Sequence, residues 1–187
     1  MVLVQPDKHY TYSDYAGWND DTRYELIDGM PYLMSPAPSE AHQTIAAELT
    51  YQLVSFLKGK PCKVLPAPFD VRLNANDGDD TVVQPDLLVV CDSPEAPKLD
   101  GKVCTGAPDM VIEILSPSTA RMDKFIKFRL YQKAGVREYW IVDPDTKTVQ
   151  VCFLKNGEYV VNAYDDTENV TVQVLKGCTI NLTDVFA

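Results

Sequence analysis

From Ser39 onward the apolar residues recur at helical spacing. His42, Ile45, Ala46, Leu49, Leu53, Phe56 and Leu57 fall on one face, Ser39 is a natural N-cap and Gly59 a stop. A second helix is expected beyond Ser116-Pro117-Ser118-Thr119, running to about Ala134 with Gly135 as its C-cap and Asp123 or Ser118 as its N-cap. Thr11–Tyr15 reads as a short capped helix. Elsewhere the pattern is that of strands. Tyr24–Asp28 and Met30–Met34 flank an Asp-Gly turn, with Ser35-Pro36 breaking the chain after them. Stretches around 63–65 and 69–73 follow, then Leu87–Val90, Met110–Leu115 and Glu138–Asp143. Val149–Leu154 and Tyr159–Val161 flank an Asn-Gly turn, and Val170–Leu175 closes the series. No repeat or linker divides the chain. The order predicts an α/β (α+β) fold, one domain over residues 1–187 with a core of about 11–186, built on a mixed sheet flanked by helices.

One position breaks the pattern. Asp109-Met-Val-Ile-Glu-Ile-Leu115 is a near-continuous apolar run of the kind buried on both faces of a sheet, yet Glu113 sits inside it. An ionised carboxylate there costs several kcal/mol, of order ~3 or more, unless a cation offsets it. Upstream, Gln84-Pro85-Asp86 places a second acid at the mouth of Leu87–Val90. The two acids lie 27 positions apart (113 − 86), room for a strand, a loop and a return strand. On neighbouring strands they would share one ion, with the Ile114 carbonyl as a third oxygen. Oxygen-only ligation with open positions suits Mg²⁺ or Mn²⁺. Lys127, one turn beyond Asp123, is the lysine best placed to reach back over the strand end, with Lys124 its nearer rival. The competing reading makes Glu113 and Lys127 a buried salt bridge, Asp86 a strand start, His42 a core histidine and Glu25 a solvated strand acid.

Composition narrows the choice. The 187 residues are 45% hydrophobic and 24% charged, ordinary for a globular protein. A net charge of −10 argues against a broadly basic, non-specific nucleic-acid binder but leaves room for a local basic patch. No apolar run approaches the ~20 residues of a membrane span, and the start, Met1–Asp7, lacks the features of a signal peptide. Five scattered cysteines without a Cys-x-x-Cys pair point to reduced, buried thiols and a cytoplasmic protein. Two histidines build no credible zinc site. Gly-x-Ser-x-Gly, Gly-x-Gly-x-x-Gly and phosphate-loop motifs are absent.

Four motifs in register carry a resemblance over about Thr11 to Phe186. They are Tyr24-Glu-Leu-Ile-Asp-Gly29, Val83-Gln-Pro-Asp-Leu87, Val111-Ile-Glu-Ile-Leu-Ser-Pro-Ser-Thr119 and Ala134-Gly-Val-Arg-Glu-Tyr-Trp-Ile-Val-Asp-Pro144. The chain resembles the Uma2 family of restriction-endonuclease-like proteins. The resemblance implies a PD-(D/E)xK nuclease core with extra hairpins at both ends, and metal-dependent hydrolysis of DNA phosphodiesters. Asp86 and Glu113 match the two metal-binding acids. The usual lysine, two residues beyond the second acid, is replaced by Leu115. In the family pattern it moves to the following helix, four residues after an acid, which maps onto Lys127 after Asp123. The resemblance thus implies Asp86, Glu113 and the Ile114 carbonyl on Mg²⁺ and Lys127 as the catalytic lysine. Glu25 and His42 sit at motif-like positions without an assigned role. DNA is the implied partner, and a homodimer is compatible, since nucleases of this fold often cut duplexes in pairs. The alternative is a nuclease fold that binds nucleic acid or regulates without turnover.

Overall fold

The computed structural model describes residues 5, 7–19, 22–34, 37–93 and 96–187. The start at Met1–Val4 and the Ser35-Pro36 break lie outside the described residues. In chain order the elements are α1 (Tyr12–Ala16), β1 (Tyr24–Ile27), β2 (Met30–Leu33), α2 (Glu40–Leu57), β3 (Cys62–Pro66), β4 (Asp70–Arg72), β5 (Val82–Val83), β6 (Leu87–Cys91), β7 (Lys98–Leu99), β8 (Val103–Thr105) and β9 (Met110–Ile114). A π-helical turn (Met122–Lys127) leads into α3 (Phe128–Ala134), followed by β10 (Glu138–Asp143), β11 (Thr148–Lys155), β12 (Glu158–Asp165), β13 (Asn169–Thr171), β14 (Thr179–Asn181) and α4 (Leu182–Val185).

The α/β class is as expected, but the strands form two six-stranded mixed sheets where one was predicted. One runs β2-β1-β5-β4-β8-β7 and the other β12-β11-β10-β9-β6-β3, with β13-β14 as a separate pair. The first sheet is built partly from β5, β7 and β8. These are two or three residues long, too short to leave a periodic signal in the sequence. Both predicted hairpins form at the two ends of the chain. Asp28 and Gly29 (φ 47° and 73°) turn β1 into β2, and Asn156 and Gly157 (φ 54° and 83°) turn β11 into β12. Two successive positive φ values are what a tight hairpin turn requires. At Gly29 the constraint is doubled, because a Cβ there would collide with the His9 ring.

In the second sheet β9 is central, antiparallel to β6 and parallel to β10. Strand alternation divides its side chains between two cores. Met110, Ile112 and Ile114 join Ile45, Leu49 and Leu53 of α2 in one apolar cluster. Val111 and Leu115 join Tyr131 and Tyr139 in the other, beneath α3. Glu113 has the parity of Val111 and Leu115, so it is delivered to the α3 side.

The second predicted helix is not continuous. Its middle is π-helical, and Asp123 lies inside it, buried and with its N–H donating to the Thr119 carbonyl at 3.0 Å, instead of capping its start. The entry is built by Ser116 and Thr119, each of whose backbone N–H donates to the other's hydroxyl at 3.3 Å. Gly135 is the expected left-handed C-cap, φ 89°. The cysteine expectation is corrected in part. Cys104, Cys152 and Cys178 are free and buried, but Cys62 and Cys91 form a disulfide. They are directly opposed on antiparallel β3 and β6, with Cα atoms 3.9 Å apart, a pairing that residue spacing alone does not reveal. Among the described residues, no helix is long and apolar enough to cross a membrane.

Candidate active site

The apolar run that carries Glu113 folds as a fully buried strand, and the cation it demands is Lys127. The Lys127 ammonium lies 2.9 Å from Glu113 Oε1, 2.8 Å from Glu25 Oε1 and 3.5 Å from Asp123 Oδ1. Both partners of the predicted pair are about 4% exposed. Glu25 comes from β1 of the other sheet, so this one ammonium ties the two sheets together through the π-helical turn. A π turn closes i→i+5 hydrogen bonds and is wider than an α turn, a geometry met mostly at functional sites. Here it holds Asp123 and Lys127 buried together.

Neighbouring groups fix the carboxylates. The Tyr131 hydroxyl donates to Glu113 Oε1 at 2.7 Å, one helical turn beyond Lys127. The Gln84 backbone N–H donates to Glu25 Oε1 at 2.8 Å, and the Tyr139 hydroxyl donates to the Asp123 carbonyl at 3.1 Å. Asp86 stands just before β6, against the end of β9. Its Oδ2 accepts the Ile114 N–H at 2.7 Å and lies 3.2 Å from His42 Nε2 on α2. The expectation of a solvated Glu25 is therefore overturned: it is buried and paired. His42 is buried as a core histidine would be, but its ring faces Asp86. Lys124, the rival lysine, reaches Asp143 Oδ2 at 3.2 Å instead of the cluster.

The charge balance is uneven. Burial pushes the Glu113 carboxyl well above its usual range; Lys127 opposes the shift, while Asp123, Asp86 and Glu25 add to it. Asp123 is raised for the same first reason, burial, again against the pull of Lys127. Burial alone would lower Lys127, but Glu113, Glu25 and Asp123 more than reverse this and hold it firmly protonated. For His42 burial likewise lowers, and the hydrogen bond and charge of Asp86 raise, with a net upward shift. The arrangement is four acids around one lysine and one histidine, with Asp123 Oδ1 buried and lacking a hydrogen bond.

That donor set fits a hard divalent cation in its chemistry: oxygen ligands, a surplus of negative charge and a buried carboxylate oxygen, Asp123 Oδ1, that Lys127 approaches at 3.5 Å without a hydrogen bond. Among the described residues, no three acidic, His or Cys side chains already converge into a coordination sphere. A cation here would be held by one or two carboxylates with water or substrate oxygens completing the shell, the usual manner of Mg²⁺.

Sequence reasoning identified Asp86, Glu113 and Lys127, and the structure brings them to one strand end. It missed Tyr131 and the pairing of Glu25. The four-residue spacing of Lys127 and Tyr131 was an available signal; Glu25 was marked by its place in the Tyr24–Gly29 motif, but nothing local pointed to its partner.

Comparisons with known proteins place the chain in a family and a fold. The family model described as "Uma2: Putative restriction endonuclease" matches residues 10–183. An uncharacterized protein of Synechocystis sp. (strain PCC 6803) is 26% identical over 164 residues, 86% of this chain and 83% of that protein. A crystal structure from Anabaena variabilis, described as "a putative nuclease belonging to DUF820", superposes with a TM-score of 0.76 at 20% identity. The match covers 94% of this chain and 97% of that one. At that identity it establishes the fold.

Proposed function

The chain belongs to the Uma2 family, and from that premise we propose that it is a metal-dependent endonuclease that hydrolyses phosphodiester bonds of DNA. The observation that carries the reading is the surplus of buried carboxylate around Lys127, from Glu25 on β1, Glu113 on β9 and Asp123 in the π turn, with Asp86 at the mouth of β6, the strand next to β9. A fold that needed only a buried ion pair would need one acid for that lysine.

Asp86, Glu113 and the Ile114 carbonyl would hold Mg²⁺ or Mn²⁺. Such an ion would supply Lewis-acid polarisation of a phosphoryl oxygen and would make a bound water more acidic than bulk water. The protein's own groups do the rest. The Ile114 N–H and His42 hold the Asp86 carboxylate in one orientation. Tyr131 does the same for Glu113. Lys127 keeps a full positive charge beside Glu113, where it orients the attacking water and offsets charge developing on the phosphoryl oxygens. DNA is gripped through its phosphates, with no base-reading motif evident in the sequence.

A second reading is favoured by one observation: Lys127 is buried and already engaged by carboxylates. On that reading the cluster is a structural tie in a nuclease fold that binds nucleic acid without cutting it. The test is cleavage of supercoiled plasmid with Mg²⁺ or Mn²⁺, by wild type and by Glu113→Gln. Nicking or linearisation that needs the metal and disappears in the variant supports the enzyme. A folded wild type that binds DNA and leaves it intact with either metal supports the second reading.

A further inference from the structure

An open cleft of about 440 Å³ runs between the β1–β2 hairpin and the π-helical turn, lined by Met30, Tyr32, Phe125, Ile126 and Arg129 among others. We propose that this cleft binds unstacked bases of single-stranded DNA, so that the substrate of the adjacent site is a single strand or an unpaired segment. The proposal rests on the nuclease reading and specifies its substrate.

Three observations support it. The first is where apolar surface is exposed. Of the nine large hydrophobic side chains exposed among the described residues, five lie on these two segments: Met30, Tyr32, Leu33, Phe125 and Ile126. Phe125 is 65% exposed, an unusual position for a phenylalanine with no partner to cover it.

The second is charge. In a chain of net charge −10, residues 121–133 carry Arg121, Lys124, Lys127, Arg129 and Lys133 against Asp123 alone. Arg121, Arg129 and Lys133 are exposed. A cationic surface interleaved with an exposed aromatic is the chemistry of single-strand binding, where phosphates take the charge and base faces take the ring. In a duplex those base faces are covered by stacking, so the aromatic would find nothing to stack on.

The third is position. Tyr32 is the cross-strand partner of Glu25, and cross-strand partners share a face of the sheet. Phe125 and Ile126 lie on the same π turn as Asp123 and Lys127. Bases seated in the cleft would therefore lie beside the carboxylate cluster, with their backbone next to it.

The experiment is fluorescence anisotropy of a labelled oligonucleotide, single-stranded and annealed to its complement, in Ca²⁺, with wild type, Phe125→Ala and Tyr32→Ala. A 2-aminopurine in the strand reports stacking directly. The single strand should bind at least about tenfold tighter than the duplex, with 2-aminopurine fluorescence changed on binding. Phe125→Ala should weaken single-strand binding about tenfold while duplex binding and melting temperature hold. Equal affinity for both forms, or a Phe125→Ala protein that binds like wild type, overturns the proposal; if the wild type still cleaves plasmid, the nuclease reading survives. A wild type that neither binds nor cuts any DNA overturns both. A dimer in sedimentation that Phe125→Ala dissociates also overturns it, giving the cleft to a second copy.

Discussion

Glu25 Oε1 lies 2.8 Å from Lys127 Nζ, although Glu25 sits on β1 of one sheet and Lys127 in the π-helical turn that follows β9 of the other. Together with the 2.9 Å contact to Glu113, this makes Lys127 the shared counter-ion of two buried glutamates. Removing it leaves both uncompensated. Lys127→Met should therefore cost about 3–5 kcal/mol of stability, the usual penalty for stranding a buried charge. Urea denaturation at neutral pH measures this. A loss under about 1 kcal/mol would mean that water or another cation reaches the glutamates.

Glu113→Gln should behave differently. Lys127 keeps Glu25 and Asp123, and the amide oxygen still accepts from Tyr131. Stability should change by less than about 1 kcal/mol, since the variant removes charge from a site that has too much of it. Metal binding, titrated with Mn²⁺ by calorimetry, should be lost. Large destabilisation with unchanged metal binding would reduce Glu113 to a structural partner of Lys127.

The same comparison has a pH dependence of defined sign. Burial raises the Glu113 and Asp123 carboxyls above their usual values of 4.5 and 3.8, so both bind protons more tightly folded than unfolded. Their contribution is fully favourable below those values and is lost as pH rises through the higher folded ones. Lys127 is shifted upward from 10.5, so its contribution stays constant until well into the alkaline range. Wild type without metal should therefore lose stability relative to Glu113→Gln as pH rises from about 4 to 8, and Mg²⁺ should flatten the slope. Denaturant midpoints at several pH values, with and without Mg²⁺, decide it. A gap that widens in the wild type's favour with pH would reverse the assigned charge balance.

How much of this was legible depended on whether a residue violated its local pattern. Glu113 stood out because an acid interrupts an apolar run, and Asp86 because it opens another. Lys127 was legible by its spacing after Asp123. Glu25 stood in a motif, but its burial and pairing were not legible, because Tyr-Glu-Leu-Ile looks like a strand with one solvated acid; its burial comes from the other sheet and the π turn closing over it, a long-range effect. The π turn itself left no signal, since the local sequence is a good α-helix former and only tertiary packing selects the wider geometry. The division into two sheets depended on strands of two or three residues. The Cys62–Cys91 pairing depended on β3–β6 register.

That pairing predicts a thiol count. Unfolded without reductant, the protein should titrate three thiols, Cys104, Cys152 and Cys178. The disulfide closes a span of 29 residues, and in the chain-entropy account such a loop is worth about 3–4 kcal/mol. Cys91→Ser should lower the urea midpoint accordingly, while leaving the Glu113 cluster intact. Five titratable thiols would show that the two opposed cysteines remain reduced in the folded protein.

The Tyr131 hydroxyl gives the finest test of the cluster. It is fully buried and donates to Glu113 Oε1 at 2.7 Å, a bond made to the same oxygen that Lys127 approaches. Tyr131→Phe keeps the ring and its packing against Tyr139, whose centroid is 4.9 Å away, and deletes one donor. The loss leaves a buried carboxylate less well solvated, so the variant should be about 1–3 kcal/mol less stable at neutral pH. The same loss favours the protonated form of Glu113, whose proton needs no donor. The penalty should therefore shrink as pH falls through the range in which Glu113 becomes neutral, and any metal-dependent activity should shift its acid limb to higher pH. A Tyr131→Phe protein whose stability deficit is the same at pH 4 and pH 8 would show that the hydroxyl does not act on the ionised carboxylate.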